Sequence, residues 1–287
     1  MSYVITIVAP QASPFFADEP IRFLQDQGLK IDRIDFLARD RAVDIGASAP
    51  VPRAHMDQIR DKFHLDIFCQ HRDTRAKKLF FADMDATMVV EETLDELAGY
   101  AGIKDQIAAI TVRAMSGELD FHAALHERVG LLKGLPEKAL FQTHERTTFS
   151  PGAQNLLSTL KSRGLYCVLV SGGFTYFTTK VAESLGFDEH HGNTLILEDG
   201  ELTGTVGQPV LDKMFKQKCL FETAERMGIA LTETVAIGDG ANDLPMLQAA
   251  GFGVGWRSKQ VLRDALDNHI LFGGLDTLTY ALGIHKP

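Results

Sequence analysis

The sequence predicts an α/β fold, a parallel sheet with helices on both faces, preceded by a small α+β module. Three observations carry that prediction. From Ser150 to Phe272, short continuous apolar runs alternate with amphipathic helical stretches, the pattern of a parallel sheet buried on both sides. Before residue 75 the elements are shorter and read in the order β-α-β-β-α-β. Three of the later apolar runs end in chemically unusual turns, and ligands of such sheets bind at the carboxyl ends of the strands.

Taken in order, residues 3–8 read as a buried strand. Residues 19–27 form a helix with Ile21, Phe23 and Leu24 inward and Gly28 as its stop. Residues 31–37 alternate apolar with charged side chains, a strand wet on one side, and residues 41–47 pair with it. A helix at 55–63 and a strand at 65–68 complete the set. This layout is similar to the ferredoxin-like arrangement of ACT regulatory domains, without a ligand motif. The polar stretch 71–78 reads as a linker, giving domains of 1–75 and 76–287. No catalytic motif lies in residues 1–75, so the chemistry is expected to survive their removal.

The next strand ends in Phe80-Phe81 and leads into Asp83-Met84-Asp85-Ala86-Thr87. Two carboxylates one residue apart at a buried strand end are costly without a positive partner. A hard divalent cation with oxygen ligands, such as Mg²⁺, suits them; the competing reading is a turn with two solvated aspartates. A helix follows with Leu94, Leu97, Ala98 and Ala101 on one stripe, stopping at Gly102. Residues 103–148 show no strand signal and read as two or three helices, with breaks at Ser116-Gly117 and Gly134-Leu135-Pro136. A helical insert over about 100–148, directly after such a turn, suggests a lid.

Ser150-Pro151 then opens a helix as N-cap and first-turn proline. A strand at 165–170 ends in Ser171-Gly172-Gly173, and residues 195–205 form a hairpin. A helix at 212–227 precedes a strand at 234–237 that ends in Gly238-Asp239-Gly240-Ala241-Asn242-Asp243. If the three turns meet at one sheet edge, acidic cation ligands lie beside a glycine turn whose N–H groups bind anions. A bridging cation makes sense of that pairing, and phosphate with Mg²⁺ is the obvious candidate. Lys216 shares a helical stripe with Leu220, Thr223 and Met227, and Arg128 one with Phe121, Leu125 and Leu132. A cation on an apolar stripe snorkels to water or has a partner. Lys216 can neutralise phosphate, and Arg128 can meet a substrate carboxylate.

At these residues the chain resembles a known family. Asp83-Met84-Asp85-Ala86-Thr87 matches the Asp-x-Asp-x-Thr signature of the haloacid-dehalogenase (HAD) superfamily of phosphohydrolases. Ser171-Gly172-Gly173-Phe174, Lys216 and Gly238-Asp239-Gly240-Ala241-Asn242-Asp243 look like its other motifs, in the right order. Ala86 departs from the serine many members carry there. Within the superfamily the chain is similar to the phosphoserine phosphatases, through Glu92 in Val89-Val90-Glu91-Glu92-Thr93, Arg128 in His126-Glu127-Arg128-Val129-Gly130-Leu131-Leu132, and Gly240-Ala241-Asn242-Asp243-Leu244-Pro245-Met246. The likeness covers roughly residues 78–272.

The resemblance implies an HAD-like sheet with a helical cap and a Mg²⁺-dependent hydrolysis of phosphoserine, the last step of serine biosynthesis. Asp83 would attack phosphorus and form an aspartyl-phosphate, and Asp85 would serve as acid and then base. Asp83, the Asp85 backbone carbonyl and Asp239 would hold Mg²⁺, with Asp243 behind them. Ser171, Gly172 and Lys216 would hold the phosphoryl oxygens. Glu92 would take the substrate ammonium, Arg128 its carboxylate, and Asn242 phosphate or the attacking water. Met115 and Phe121 would line the lid. Rival readings are another small phosphate ester as substrate, or a non-catalytic amino-acid sensor; intact Asp83, Asp85, Lys216 and Asp239 argue against the sensor.

Composition narrows the classes. A 45% hydrophobic content over 287 residues supports a sizeable core, and a formal charge of −9 argues against a nucleic-acid surface. Cys69, Cys167 and Cys219 lie far apart among apolar neighbours, which fits a reduced, cytoplasmic chain without disulfides or a zinc framework. Neither a signal peptide nor a membrane span is expected. The expected partner is a small molecule, with a homodimer left open. His190-His191 reads as a surface loop, Trp256 as core, and Gly251–Gly255 lacks the setting of a dinucleotide site.

Overall fold

A computed structural model describes residues 2–115 and 118–284, the side chain of Met115 excepted. The expected break at Ser116-Gly117 lies outside the described residues. The backbone divides into two compact units. One takes the chain up to Phe81, Pro151–Cys167 and the chain from Gln217 onward; the other takes Ala82–Ser150 and Val168–Lys216.

The first unit opens with β1 (Tyr3–Val8), α1 (Asp18–Asp26), β2 (Ile31–Ala38), β3 (Ala42–Ala47), α2 (Arg53–Phe63) and β4 (Asp66–His71). The strands form an antiparallel sheet in the order β2-β3-β1-β4, the ferredoxin-like order. Ile5, Ile7, Val43 and Ile45 share a core with Leu24 of α1 and Met56 and Ile59 of α2. The stretch read as a linker is packed. Lys77 is buried, donates to the Thr232 carbonyl at 2.7 Å, and burial lowers its pKa to about 8. Arg75 bonds Asp44 and the carbonyls of Tyr280 and Ala281. Asp66, fully buried, accepts three backbone N–H bonds, from Leu271 at 2.7 Å, Phe272 at 3.2 Å and Gly273 at 2.8 Å. Gln70 donates to the Ala281 carbonyl at 2.7 Å. The N-terminal sheet therefore terminates backbone groups that the C-terminal segment leaves open.

The second sheet is parallel, six-stranded and ordered β12-β11-β10-β5-β6-β7. Its strands are β5 (Leu79–Ala82), β6 (Tyr166–Phe174), β7 (Glu189–Asn193), β10 (Thr234–Gly238), β11 (Gly253–Trp256) and β12 (His269–Ile270). Every residue of β5 and β10 is buried, as sheets covered on both faces require. The helices around it include α7 (Ala153–Ser162), α8 (Thr175–Leu185), α9 (Lys213–Met227), α10 (Leu244–Ala249), α11 (Gln260–Ala265) and α12 (Thr277–Ala281). In the second unit lie α3 (Thr93–Tyr100) and three insert helices, α4 (Lys104–Met115), α5 (Phe121–Gly130) and α6 (Lys138–His144), with the hairpin β8 (Leu195–Glu198) and β9 (Glu201–Val206).

Two expectations need correction. His190-His191 sits on β7, paired with Leu169 and Val170 of β6, and not in a loop. β7 is an edge strand with four half-buried polar or small residues, so it has no apolar run to reveal it. The glycine turn is likewise no clean strand end: β6 runs on through Ser171-Gly172-Gly173 to Phe174, with a break in register. No described helix is long and apolar enough to cross a membrane.

Candidate active site

Asp83 is the first residue beyond β5 and is 3% exposed. Its Oδ1 accepts from Lys216 Nζ at 2.6 Å and from the Met84 N–H at 2.8 Å. Lys216 is 2% exposed, on the inner stripe of α9 that the sequence assigned to it. Neither charge would be tolerable there alone, so the pair accounts for both burials. The chain then coils through one wide turn closed by the Val89 N–H on the Met84 carbonyl at 3.0 Å. Ala86 takes a left-handed φ of 52° in it, a strained conformation of the kind that collects at functional sites.

That turn brings Asp85 back toward β6. Its Oδ1 accepts from the Thr93 N–H at 2.9 Å, and its Oδ2 from the Ser171 hydroxyl at 3.1 Å. The residue is half-buried, and burial pushes its carboxyl up from the usual carboxylate range, opposed by Thr93, Ser171 and Lys216. A raised pKa suits a group that must hand over a proton. The Gly173 N–H donates to Ser171 Oγ at 2.8 Å. A Cβ at position 173 would stand 2.5 Å from Asp85 Oδ2, so only glycine admits the carboxylate there. Phe121, the first residue of α5, reaches the same turn: a Cβ on Gly172 would lie 3.9 Å from its ring tip.

Glu92 is exposed and occupies the N-cap position of α3. Arg128 of α5 is half-buried, with Nε donating to the Ala124 carbonyl at 3.2 Å. Burial lowers its pKa, while Asp95 and then Glu92 act to raise it, so Arg128 and Glu92 lie in one electrostatic neighbourhood. Met115 ends α4, and its side chain lies outside the described residues.

The turn after β10 has its own scaffold. Asp243, fully buried, accepts from the N–H groups of Asp239 and Gly240, both at 3.1 Å. A Cβ on Gly238 would stand 2.5 Å from the Asp243 carboxylate. Asp239 is 6% exposed, and Asn242 lies exposed beside Asp243 with Nδ2 at 3.4 Å from Oδ1. Asp239 and Asp243 are thus two buried acids held in one turn. Buried carboxylates with an all-oxygen donor set fit a hard cation such as Mg²⁺. The Asp85 carboxylate is engaged by Thr93 and Ser171.

Two residues escaped the sequence. Lys259, exposed, places Nζ 2.9 Å from Asp239 Oδ2. It follows an irregular loop and has no periodic stripe to mark it. Asn193, 1% exposed, binds the Gly172 carbonyl at 2.8 Å. A polar residue on an unrecognised edge strand gave no signal.

The profile of haloacid dehalogenase-like hydrolases matches residues 80–248. A phosphoserine phosphatase of Archaeoglobus fulgidus is 42% identical over 231 residues, 79% of this chain and 67% of that protein. One from Streptomyces coelicolor is 43% identical over 212 residues, 74% of this chain and 52% of that protein, so this match spans about half its length. Among solved structures, an HAD family hydrolase of Salmonella enterica serovar Typhi superposes with a TM-score of 0.88 at 31% identity, covering 98% of both chains. A probable phosphoserine phosphatase from Vibrio cholerae gives 0.82 at 31% identity, over 99% of this chain and 86% of that one. Sequence profile, relatives and fold agree: the chain belongs to the haloacid dehalogenase-like hydrolases.

Proposed function

We propose that the chain is a phosphoserine phosphatase, hydrolysing O-phospho-L-serine to L-serine and phosphate through an aspartyl-phosphate on Asp83. The observation that carries this is the buried Asp83–Lys216 pair, with Asp85 two residues on and its carboxyl raised. Lys216 and the Met84 N–H orient the Asp83 carboxylate for attack on phosphorus. As the Asp83 O–P bond forms and the ester P–O bond breaks, protonated Asp85 gives its proton to the leaving serine oxygen. Asp85, now a carboxylate, takes a proton from water; that water attacks phosphorus, phosphate leaves and Asp83 is regenerated. Ser171, the Gly172 N–H and Lys216 hold the phosphoryl oxygens, and Asn242 contacts phosphate or the attacking water.

Asp83, Asp239 and the Asp85 backbone carbonyl would hold Mg²⁺, with Asp243 supporting them. The ion supplies charge neutralisation at the phosphoryl group. Glu92 receives the substrate ammonium and Arg128 its carboxylate, under a lid lined by Phe121 and Met115. In this reading residues 1–75 are an ACT-like domain and 76–287 the phosphatase domain, with its cap at about 100–148. The reaction is the last step of serine biosynthesis, in the cytoplasm.

A second reading, hydrolysis of another small phosphate ester, is favoured by the Salmonella hydrolase, which matches over the whole chain and whose name gives no substrate. Phosphate release from L-phosphoserine and a panel of phosphometabolites, with Mg²⁺ or with EDTA, decides between them. Preference for a panel member without an amino-acid moiety would sink the phosphoserine reading.

A further inference from the structure

β6 and β7 pair in regular register at Val168/Glu189, Leu169/His190 and Val170/His191, and the next partners are Phe174 and Asn193. Residues 171–173 leave the ladder between those points. A carbonyl in such a bulge lacks a ladder partner, which is costly when buried. The buried carboxamide of Asn193, which ends β7, supplies one. Its Nδ2 donates to the Gly172 carbonyl at 2.8 Å and to the Leu211 carbonyl at 3.2 Å, and the Leu211 N–H donates back to Oδ1 at 2.8 Å.

These bonds join two parts of the site. The Gly172–Gly173 peptide is held at both ends, its carbonyl by Asn193 and its N–H by Ser171 Oγ, and Ser171 in turn donates to Asp85. Leu211 lies two residues before α9, whose first turn carries Lys216. Gly192 presses β7 against the same turn: a Cβ there would fall 3.0–3.2 Å from Thr175 N, Phe174 C and Gly173 O. Only a carboxamide offers two donors and an acceptor in this arrangement.

We propose that Asn193 is a positioning residue for phosphoryl recognition. It locks the Ser171-Gly172 turn and the start of α9 in one frame, so that Ser171, the Gly172 N–H and Lys216 address the same phosphoryl group. The inference rests on the phosphatase reading for the identity of that anion. Asn193→Asp sets a carboxylate against two carbonyls, and Asn193→Ser removes the bridge with little charge change. The full chain with Mg²⁺ is assayed for kcat and KM on phosphoserine, for calorimetric Kd of inorganic phosphate, for inhibition by L-serine, and for Tm.

Displacing phosphoryl-binding groups by a fraction of an ångström should lower kcat roughly 10- to 100-fold. Phosphate Kd should weaken severalfold, while L-serine inhibition, resting on Glu92 and Arg128, stays within about twofold on the same reasoning. Should both variants fail to fold, Asn193→Gln keeps the carboxamide but moves it one methylene, and the same readouts apply. A folded variant with wild-type kcat and phosphate Kd, whatever its Tm, overturns the proposal. Absent phosphoserine turnover by the wild type would instead refute the functional reading, and the phosphate Kd ratio scores Asn193 independently.

Discussion

Substrate choice is where the proposed function is most exposed, and Arg128 is the residue to perturb. Its Nε is tied to the Ala124 carbonyl on its own helix, which fixes the guanidinium on the lid. Asp95 and Glu92 are the acids that favour its charge. A zwitterion between Arg128 and Glu92 presents a carboxylate to one and an ammonium to the other. A hydrogen bond to a charged group is worth about 1.5–3 kcal/mol. Arg128→Ala should therefore lower kcat/KM for phosphoserine roughly 10- to 200-fold. Phosphoethanolamine has the ammonium without the carboxylate, so its kcat/KM should change little. Glu92→Gln should weaken both substrates. The assay is steady-state phosphate release for the two substrates with wild type and both variants. Equal losses on both substrates for Arg128→Ala would refute the carboxylate assignment and leave Arg128 a support for lid packing.

Four further outcomes follow from other parts of the molecule. Exhaustive chelation should abolish turnover and added Mg²⁺ restore it; full activity in EDTA would contradict a role for a divalent cation in the reaction. Asp66→Asn turns a donor toward the Gly273 N–H and should cost about 2–4 kcal/mol in urea unfolding. A chain beginning near Arg75 loses all the Asp66 and Gln70 bonds and should be far less stable than the full chain; equal stability would show that the N-terminal sheet is not a structural support. His269, buried with its ring bonded to Ser258 and Leu266, is held neutral, its pKa lowered by burial to about 4 from 6.5. The unfolded chain binds that proton below pH 6.5 and the folded one does not, so stability falls as pH drops from 6.5 toward 4. The loss between pH 7 and 5 is about 2 kcal/mol, and His269→Gln should abolish it; an unchanged acid slope in the variant would assign it to other groups.

Much of this was legible because the chemistry sits on strong periodicities. Phe80-Phe81 before two aspartates, the apolar run before Ser171, and Lys216 on an apolar stripe each gave a residue type at odds with its surroundings. The structure shows buried ion pairs or backbone-bonded carboxylates at each acidic or basic position. The left-handed φ at Ala86 was not legible, since alanine gives no hint of it. β7 was invisible because an edge strand can be polar throughout. The stretch 71–78 looked like a linker because Arg75 and Lys77 are charged, yet tertiary partners for both are supplied more than 150 residues away, by Thr232 and Tyr280. Such long-range pairing leaves no local pattern.

The central claim is covalent catalysis by Asp83, and acid-quenched trapping during turnover tests it most directly. The wild type, mixed with phosphoserine and Mg²⁺ and quenched within a turnover, should yield a phosphorylated peptide whose phosphate maps to Asp83. Asp83→Asn should be folded, inactive and unlabelled. Label on another residue, or turnover by Asp83→Asn with no label anywhere, would contradict the account.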